Sequence, residues 1–382
     1  MTHVSVSPKM LRWACERAGY NMEHVAARIP QFPAWIRRER QPTLKQLEQL
    51  AKLTHTPLGY LFLPTPPDER LPVPDYRTVA GTARGRPSPD LLDTLYTMQR
   101  RQEWLRESLF ENDAEPLAFV ASARLADDPD AVGREMRRVL GLDGKWAAGV
   151  HTWQDAVSEL RRMIEQLGVM AVINGVVGNN THRPLSVEEF RGFALTDPYA
   201  PLIFVNGADA KSAQMFTLAH ELAHIWLGTE GLSGFDSLLP GGPDVEDWCN
   251  RAAAELLAPA REFRARWRED RREANPFEAL ARTFKVSPVV AARRALDLNL
   301  VDRSTFLSFY DAYVNREHKG GQKVGGGDFY NNQNTRVGKL FALQVLRAAM
   351  EGRIGFKEAY DLTGLRGGTF QEYARRLGVN LP

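Results

Sequence analysis

The chain has 382 residues, 43% hydrophobic, 25% charged and 9% aromatic, which excludes a disordered or fibrous protein and provides the apolar material for two or three domains. No apolar core of signal-peptide length opens the sequence and no run of about eighteen apolar residues occurs in it, so a cytoplasmic protein without a membrane span is expected. Net charge is +2, but residues 1–70 carry +4 and residues 282–382 carry +7, leaving −9 for the middle, a distribution compatible with different partners for different parts or simply with a solvated surface.

From Pro8 to Leu63 the pattern is one of short helices. Leu11, Ala14, Cys15 and Ala18 fall at helical spacing and stop at Gly19; Met22, Val25, Ala26 and Ile29 do the same before Pro30. A short piece, Ala34 to Glu39, follows. Pro42-Thr43 opens another helix with Leu44, Leu47, Leu50, Ala51 and Leu53 on its buried side, and Leu58 to Leu63 closes the bundle. Five prolines between Pro64 and Pro74 impose extended backbone and predict a linker. After a mixed segment from Gly81 to Pro89, a long amphipathic helix is expected over Asp90–Phe110, with others over residues 130–141 and 152–167.

The period then changes. Val169–Val177, Phe190–Leu195 and Leu202–Val205 are β-rich and separated by turn residues, which predicts a small sheet. A helix from about Ala210 to Leu227, stopped by Gly228, and a second from about Asp244 to Leu257, stopped by Pro259, follow it. Beyond Pro276 come a helical pair around Phe277–Ala295, a basic glycine-rich stretch from Lys319 to Gly327, and an amphipathic helix from about Arg336 to Met350, read as an appended helical module. Gly325-Gly326-Gly327 lacks the Lys-Ser/Thr of a phosphate loop and reads as a turn before a helix. Lys319, Lys323, Arg336 and Lys339 form either a basic patch or, as a charge run more often does, a solvated surface. The two cysteines, Cys15 and Cys249, lie in no paired metal spacing and read as buried small hydrophobes.

The chemistry lies in Phe216-Thr217-Leu218-Ala219-His220-Glu221-Leu222-Ala223-His224. Residues four apart sit one turn apart on one helix face, so His220 and His224 can direct two imidazoles at one point. Glu221 leaves the helix at another angle, which suits a general base that is not a ligand. Phe216, Ala219, Ala223 and Leu227 share the histidines' face and give them a packed setting. A catalytic zinc needs a third protein ligand and an open position. Glu246, 22 residues after His224, is the expected one, with Asp244 and Asp247 as competitors and helix-end charge complementing the macrodipole as the plain alternative. The run Ala252-Ala253-Ala254 would let the second helix approach the first closely.

These residues, with Asn250 and Ala253-Ala254-Glu255-Leu256-Leu257-Ala258-Pro259, resemble the ImmA/IrrE family of zinc metallopeptidases over roughly Val169 to Ala260; Cys249 stands where an alanine is common. The resemblance implies one zinc per chain held by His220, His224 and Glu246, catalysis by Glu221, and a substrate that is often a helix-turn-helix repressor. Manganese or iron could substitute at similar geometry. In such peptidases an edge strand holds the substrate by main-chain pairing, and Phe190–Leu195 is the candidate.

Residues 11–63 resemble the XRE-type helix-turn-helix domain, through Arg37 to Glu39, Pro42-Thr43-Leu44-Lys45-Gln46-Leu47 and Pro57-Leu58-Gly59-Tyr60-Leu61-Phe62. Pro30 and Pro33 bracket a recognition segment with few polar residues suited to bases. Arg37, Arg38, Arg40 and Lys45 remain as contacts to double-stranded DNA phosphates, and the alternative is a helical domain that recognises protein. The expectation is a mostly helical α+β chain: an XRE-like bundle at 1–64, a linker at 65–89, a minimal zincin-like domain with a small sheet at 90–275, and a helical region at 276–382. The function this implies is regulated, site-specific cleavage of a cellular protein. The rivals are a DNA-binding regulator or antitoxin-type partner of a toxin whose peptidase domain is idle or conditional, and a structural zinc protein; a homodimer fits any of them.

Overall fold

The structure, a computed structural model, describes residues 3–75, 86–142, 146–234, 244–317 and 329–379. Two compact units divide the chain: one takes residues to Pro72 with the helix that follows as far as Tyr96, the other Val73–Asp75 and the chain from Thr97 on. The basic glycine-rich stretch Lys319–Gly327 and most of the segment Gly81–Pro89 lie outside the described residues.

The first unit is built from α1 (Pro8–Arg17), α2 (Met22–Arg28), α3 (Phe32–Ile36) and α4 (Leu44–Thr54), closed by a 3₁₀ turn at Leu58–Phe62. Its helix starts are encoded locally. Ser7 caps α1 with Pro8 in the first position, Asn21 caps α2, and Thr43 with Gln46 forms a reciprocal capping box on α4. Met10, Leu11, Trp13, Val25, Phe32, Trp35, Leu47, Leu50 and Leu61 make the core. Leu44, expected on the buried side, is instead 44% exposed. It stands next to the cap in the first turn of α4, which leaves that side chain beyond the apolar stripe.

The second unit carries a four-stranded sheet in the order β1-β5-β4-β6: β1 (Met170–Asn174), β4 (Gly192–Leu195), β5 (Leu202–Asn206) and β6 (Gly231–Ser233). β1 runs parallel to β5, while β4 is antiparallel to both β5 and β6. A separate ribbon pairs β2 (Val176–Val177) with the polar, mostly exposed β3 (Asn180–Pro184). β4 therefore has a neighbour on each side, which corrects the edge position expected for Phe190–Leu195. The terminal strand on the β4 side is β6, three residues in a glycine- and serine-containing stretch with too little periodicity to announce itself.

α5 (Pro89–Glu111), α6 (Pro129–Val139) and α7 (Trp153–Gln166) precede the sheet, and α8 (Lys211–Leu227) and α9 (Asp244–Leu257) follow its inner strands. α8 lies on β4 and β5 and packs against α7 and α9. Two close approaches depend on missing side chains. A Cβ on Gly133 of α6 would meet Ala252 O at 2.6 Å, and one on Gly192 would meet Thr217 Cγ2 at 2.6 Å and Glu221 Oε1 at 2.9 Å. The small run at Ala252 thus serves α6 as well as α8.

α10 (Ala260–Asp270), α11 (Pro276–Phe284), α12 (Pro288–Asp297) and α13 (Arg303–Glu317) complete this packing. One apolar core runs from Ala123 through α8, α9, α11 and α12 to Phe306 and Tyr310, across residue 275 without a break. At the end of the chain, α14 (Phe329–Gln333) passes through a π turn at Asn334–Gly338 into α15 (Lys339–Met350), followed by α16 (Phe356–Thr363) and α17 (Gly367–Arg376). These helices are tied to the rest of the unit by buried guanidinium groups: Arg161 donates to Asn334 O at 3.2 Å, and Arg101 donates to Leu362 O at 2.9 Å and Arg336 O at 3.1 Å. Helices with a small mixed sheet make the class α+β. Among the described residues no helix is long and apolar enough to cross a membrane.

Candidate metal centre

α8 is buried along nearly its whole length, because it lies between the sheet on one side and α7 and α9 on the other. Its histidines therefore sit in a dry interior, with His220 at 2% exposure and His224 at 0%. α9 brings Glu246, 1% exposed, against both. Nε2 of His220 and Nε2 of His224 are 3.1 Å apart, Glu246 Oε1 is 3.1 Å from His224 Nε2, and Glu246 Oε2 is 3.3 Å from His220 Nε2. Tetrahedral bonds of about 2.0–2.1 Å set ligand atoms about 3.3–3.4 Å apart, and the three separations, two of which use different oxygens of Glu246, are of that order. They lie close enough to bind one metal ion.

The competing carboxylates are elsewhere. Asp247 accepts a hydrogen bond from Arg293 at 2.6 Å, and Asp244 is exposed in the first turn of α9. Cys249 is a packed core residue whose thiol burial pushes well up, which leaves it inert.

Electrostatics tie the three groups together. Burial pushes the Glu246 carboxyl up, but the His220 and His224 rings outweigh it and hold it down at about 2. Burial pulls His220 down, yet Glu246 outweighs it and the ring is held above its ordinary value; for His224 burial prevails and the ring is held below. Two imidazoles sharing one carboxylate take up one proton between them more readily than two. Glu221, fully buried, is pushed by that burial up to about 8 against the pull of His220. Among the described residues neither Glu221 oxygen has a hydrogen-bond partner, an arrangement that is costly unless the group has a water or ion to act on.

Thr229, beside His224, is a residue the sequence reading did not name. Gly228 ends α8 in the left-handed region with φ of 72°, and the turn carries Thr229 back under His224, where its Oγ1 lies 2.9 Å from Nδ1. A metal on Nε2 leaves the proton on Nδ1, which then donates to Thr229 and fixes the ring. A hydroxyl immediately after the helix-ending glycine was the available signal. Thr229→Val, of similar shape, is expected to lower metal affinity about 10–100-fold in competition with a chelator; unchanged affinity would dismiss the orienting role.

Beside His220, a cavity of about 20 Å³ is lined by Arg191, Thr217, Ser233, Ser287 and Val290 among others. It has room for about one water.

The nucleic-acid candidates lie on the first unit. Arg37 spends its guanidinium on Glu39, at 2.7 and 3.0 Å, with both groups exposed. Arg38, in the left-handed region with φ of 62°, Arg40 and Lys45 are exposed and form no ion pair among the described residues. α3 is Phe-Pro-Ala-Trp-Ile, with Phe32 and Trp35 buried, and so offers no polar side chain to a base edge.

Residues 177–296 match the family model of the IrrE N-terminal-like domain, a metallopeptidase family. Residues 337–376 match a domain of unknown function, DUF8813. No curated protein and no solved structure matches the chain. The first match covers α8 and α9 with His220, His224 and Glu246 inside it, and it supports a metallopeptidase-type function of the ImmA/IrrE kind for this part of the chain.

Proposed function

We infer that the chain is a zinc-dependent endopeptidase in which His220, His224 and Glu246 hold the ion and Glu221 is the general base. The observation that carries this is the convergence of three buried side chains, whose ligand atoms all lie within 4.8 Å of one another, next to the buried carboxylate of Glu221. Two imidazoles and a carboxylate suit zinc, and the ion supplies Lewis acidity towards water and a peptide carbonyl when bound. Glu221 takes a proton from the attacking water as the C–O bond forms and returns it to the leaving nitrogen as the C–N bond breaks, so its carboxylate is regenerated each turnover. The resemblance supports a helix-turn-helix repressor as the cleaved protein.

The deciding measurement is metal content by mass spectrometry of the purified full chain beside His220→Ala and Glu221→Gln. About one zinc per chain in wild type and Glu221→Gln, and none in His220→Ala, is expected from the ligand count. A wild-type chain that neither holds nor takes up zinc would end the peptidase reading.

A second reading adds phosphate contacts by the first unit, favoured by the exposed Arg38, Arg40 and Lys45. With no base-reading side chain on α3, binding to duplex DNA should be blind to sequence and weaken with salt by roughly 0.9 log unit per contact per log of salt. A gel shift in which Arg38→Ala and Arg40→Ala leave both affinity and salt slope untouched would remove it.

A further inference from the structure

The outer edge of β6 is not open. Leu232 N donates to Pro74 O at 3.0 Å, and Asp75 pairs with Leu232 in a parallel bridge, so Val73–Asp75 lie along the strand as one more short rung of the sheet. These residues belong to the same unit as β6. Val73 is buried and supplies the only apolar anchor of the three, while Pro74 and Asp75 are exposed.

That edge borders the site. On its inner side β6 pairs with β4, Ser233 opposite Gly192, the glycine whose missing side chain makes room for Glu221. Ser233 and Gly234 line the one-water cavity that His220 borders. An extended peptide that adds to the sheet by main-chain pairing has this terminal strand to add to, since β4 is already paired on both sides.

We propose that Val73–Asp75 is a built-in competitor for the peptide-docking edge of β6, holding the site closed until an incoming extended peptide displaces it. The proposal rests on the peptidase reading and adds its regulation. The chemistry of the segment fits a weak occupant. Pro72 and Pro74 have no N–H, so the segment can donate little to a ladder and the pairing stays an isolated bridge.

The test compares zinc-loaded full-length wild type with Val73→Glu, and with the milder Val73→Ala should the charge impair folding. Two quantities are measured: hydrogen exchange at the Leu232 amide, and affinity for a fluorescent extended tetrapeptide bearing a C-terminal hydroxamate. Val73→Glu should exchange the Leu232 amide at least tenfold faster and bind the hydroxamate at least tenfold tighter, with Val73→Ala changing both in the same direction, and the bound peptide should restore protection at Leu232. Hydroxamate affinity within twofold of wild type in both variants overturns the proposal. Zinc content of the same samples separates the two failures: zinc-bearing proteins with unchanged affinity dismiss the competitor alone, whereas proteins that hold no zinc remove the peptidase reading and the competitor with it.

Discussion

Replacing Glu221 by glutamine is expected to slow peptide hydrolysis by about 10²–10⁴-fold while leaving zinc content unchanged, because the amide keeps the shape of the carboxylate and loses its basicity. The same substitution has a second consequence that does not depend on substrate. In the metal-free protein, burial raises the Glu221 carboxyl from 4.5 to about 8. A carboxyl raised on folding contributes stability that is fully present below its unfolded value and is lost as pH rises through the folded one, since the folded protein then surrenders a proton it holds more tightly than the unfolded chain does. Wild type should therefore lose stability relative to Glu221→Gln between about pH 4.5 and 8, by a few kcal/mol at pH 8.5. Urea unfolding of the chelator-treated proteins at pH 5 and pH 8.5 reads this directly. A difference between the two proteins that is the same at both pH values would mean that Glu221 is not held protonated by burial, and that the carboxylate is already solvated.

The part of this site that was legible in sequence is the part made by local periodicity. His220, Glu221 and His224 follow from one helix and its stop at Gly228, and Glu246 followed from the ligand count together with the face it shares with Asn250, Ala253 and Leu257. Thr229 was not legible in the same way. Its place under His224 depends on a left-handed turn whose direction the residue types permit but do not state. The sheet shows the same limit. Three of its four strands announced themselves by β-branched and aromatic runs, but their order did not, because order is fixed by pairings between segments far apart: β1 with β5, β4 with β6, Leu232 with Pro74. Hence Phe190–Leu195 was read as an edge when it is an inner strand. Leu44 shows a smaller version, where helical spacing located the stripe but not the point at which the first turn leaves it. The helices α10, α13, α16 and α17 were not individually expected, since charge and short length blur the periodicity of segments such as Ala260–Asp270.

What keeps α9, and with it Glu246, in place is a buried ionic joint that predicts the largest stability effect in the molecule. Arg294 of α12, 1% exposed, donates to Glu255 of α9, to Asp130 in the first turn of α6 at 3.3 Å, and to Ala258 O at 3.1 Å where α9 ends. Arg137 of α6 donates to Leu256 O at 2.6 Å, so the last carbonyls of α9, which have no partner within the helix, are taken by guanidinium groups from two neighbours. Glu255 is buried too, and burial pushes its carboxyl up despite Arg294, a sign of how much it would cost to leave that charge alone. Arg294→Ala removes the buried cation and leaves the carboxylate with the Ala260 N–H at 3.0 Å and the exposed Arg134 at 3.7 Å, with an expected loss of about 3–5 kcal/mol in urea unfolding. Replacing both partners, Arg294→Leu with Glu255→Leu, takes away the stranded charge and should recover most of that loss, since apolar side chains of similar volume serve a buried position about as well as an ion pair does. Because Glu246 is fixed by the same helix, zinc affinity should fall in the single variant and return in the double one. A single variant that loses less than about 1 kcal/mol would place Glu255 in contact with water and make the joint a surface pair, in which case the position of Glu246 must be set by the packing of Ala252 and Ala253 instead.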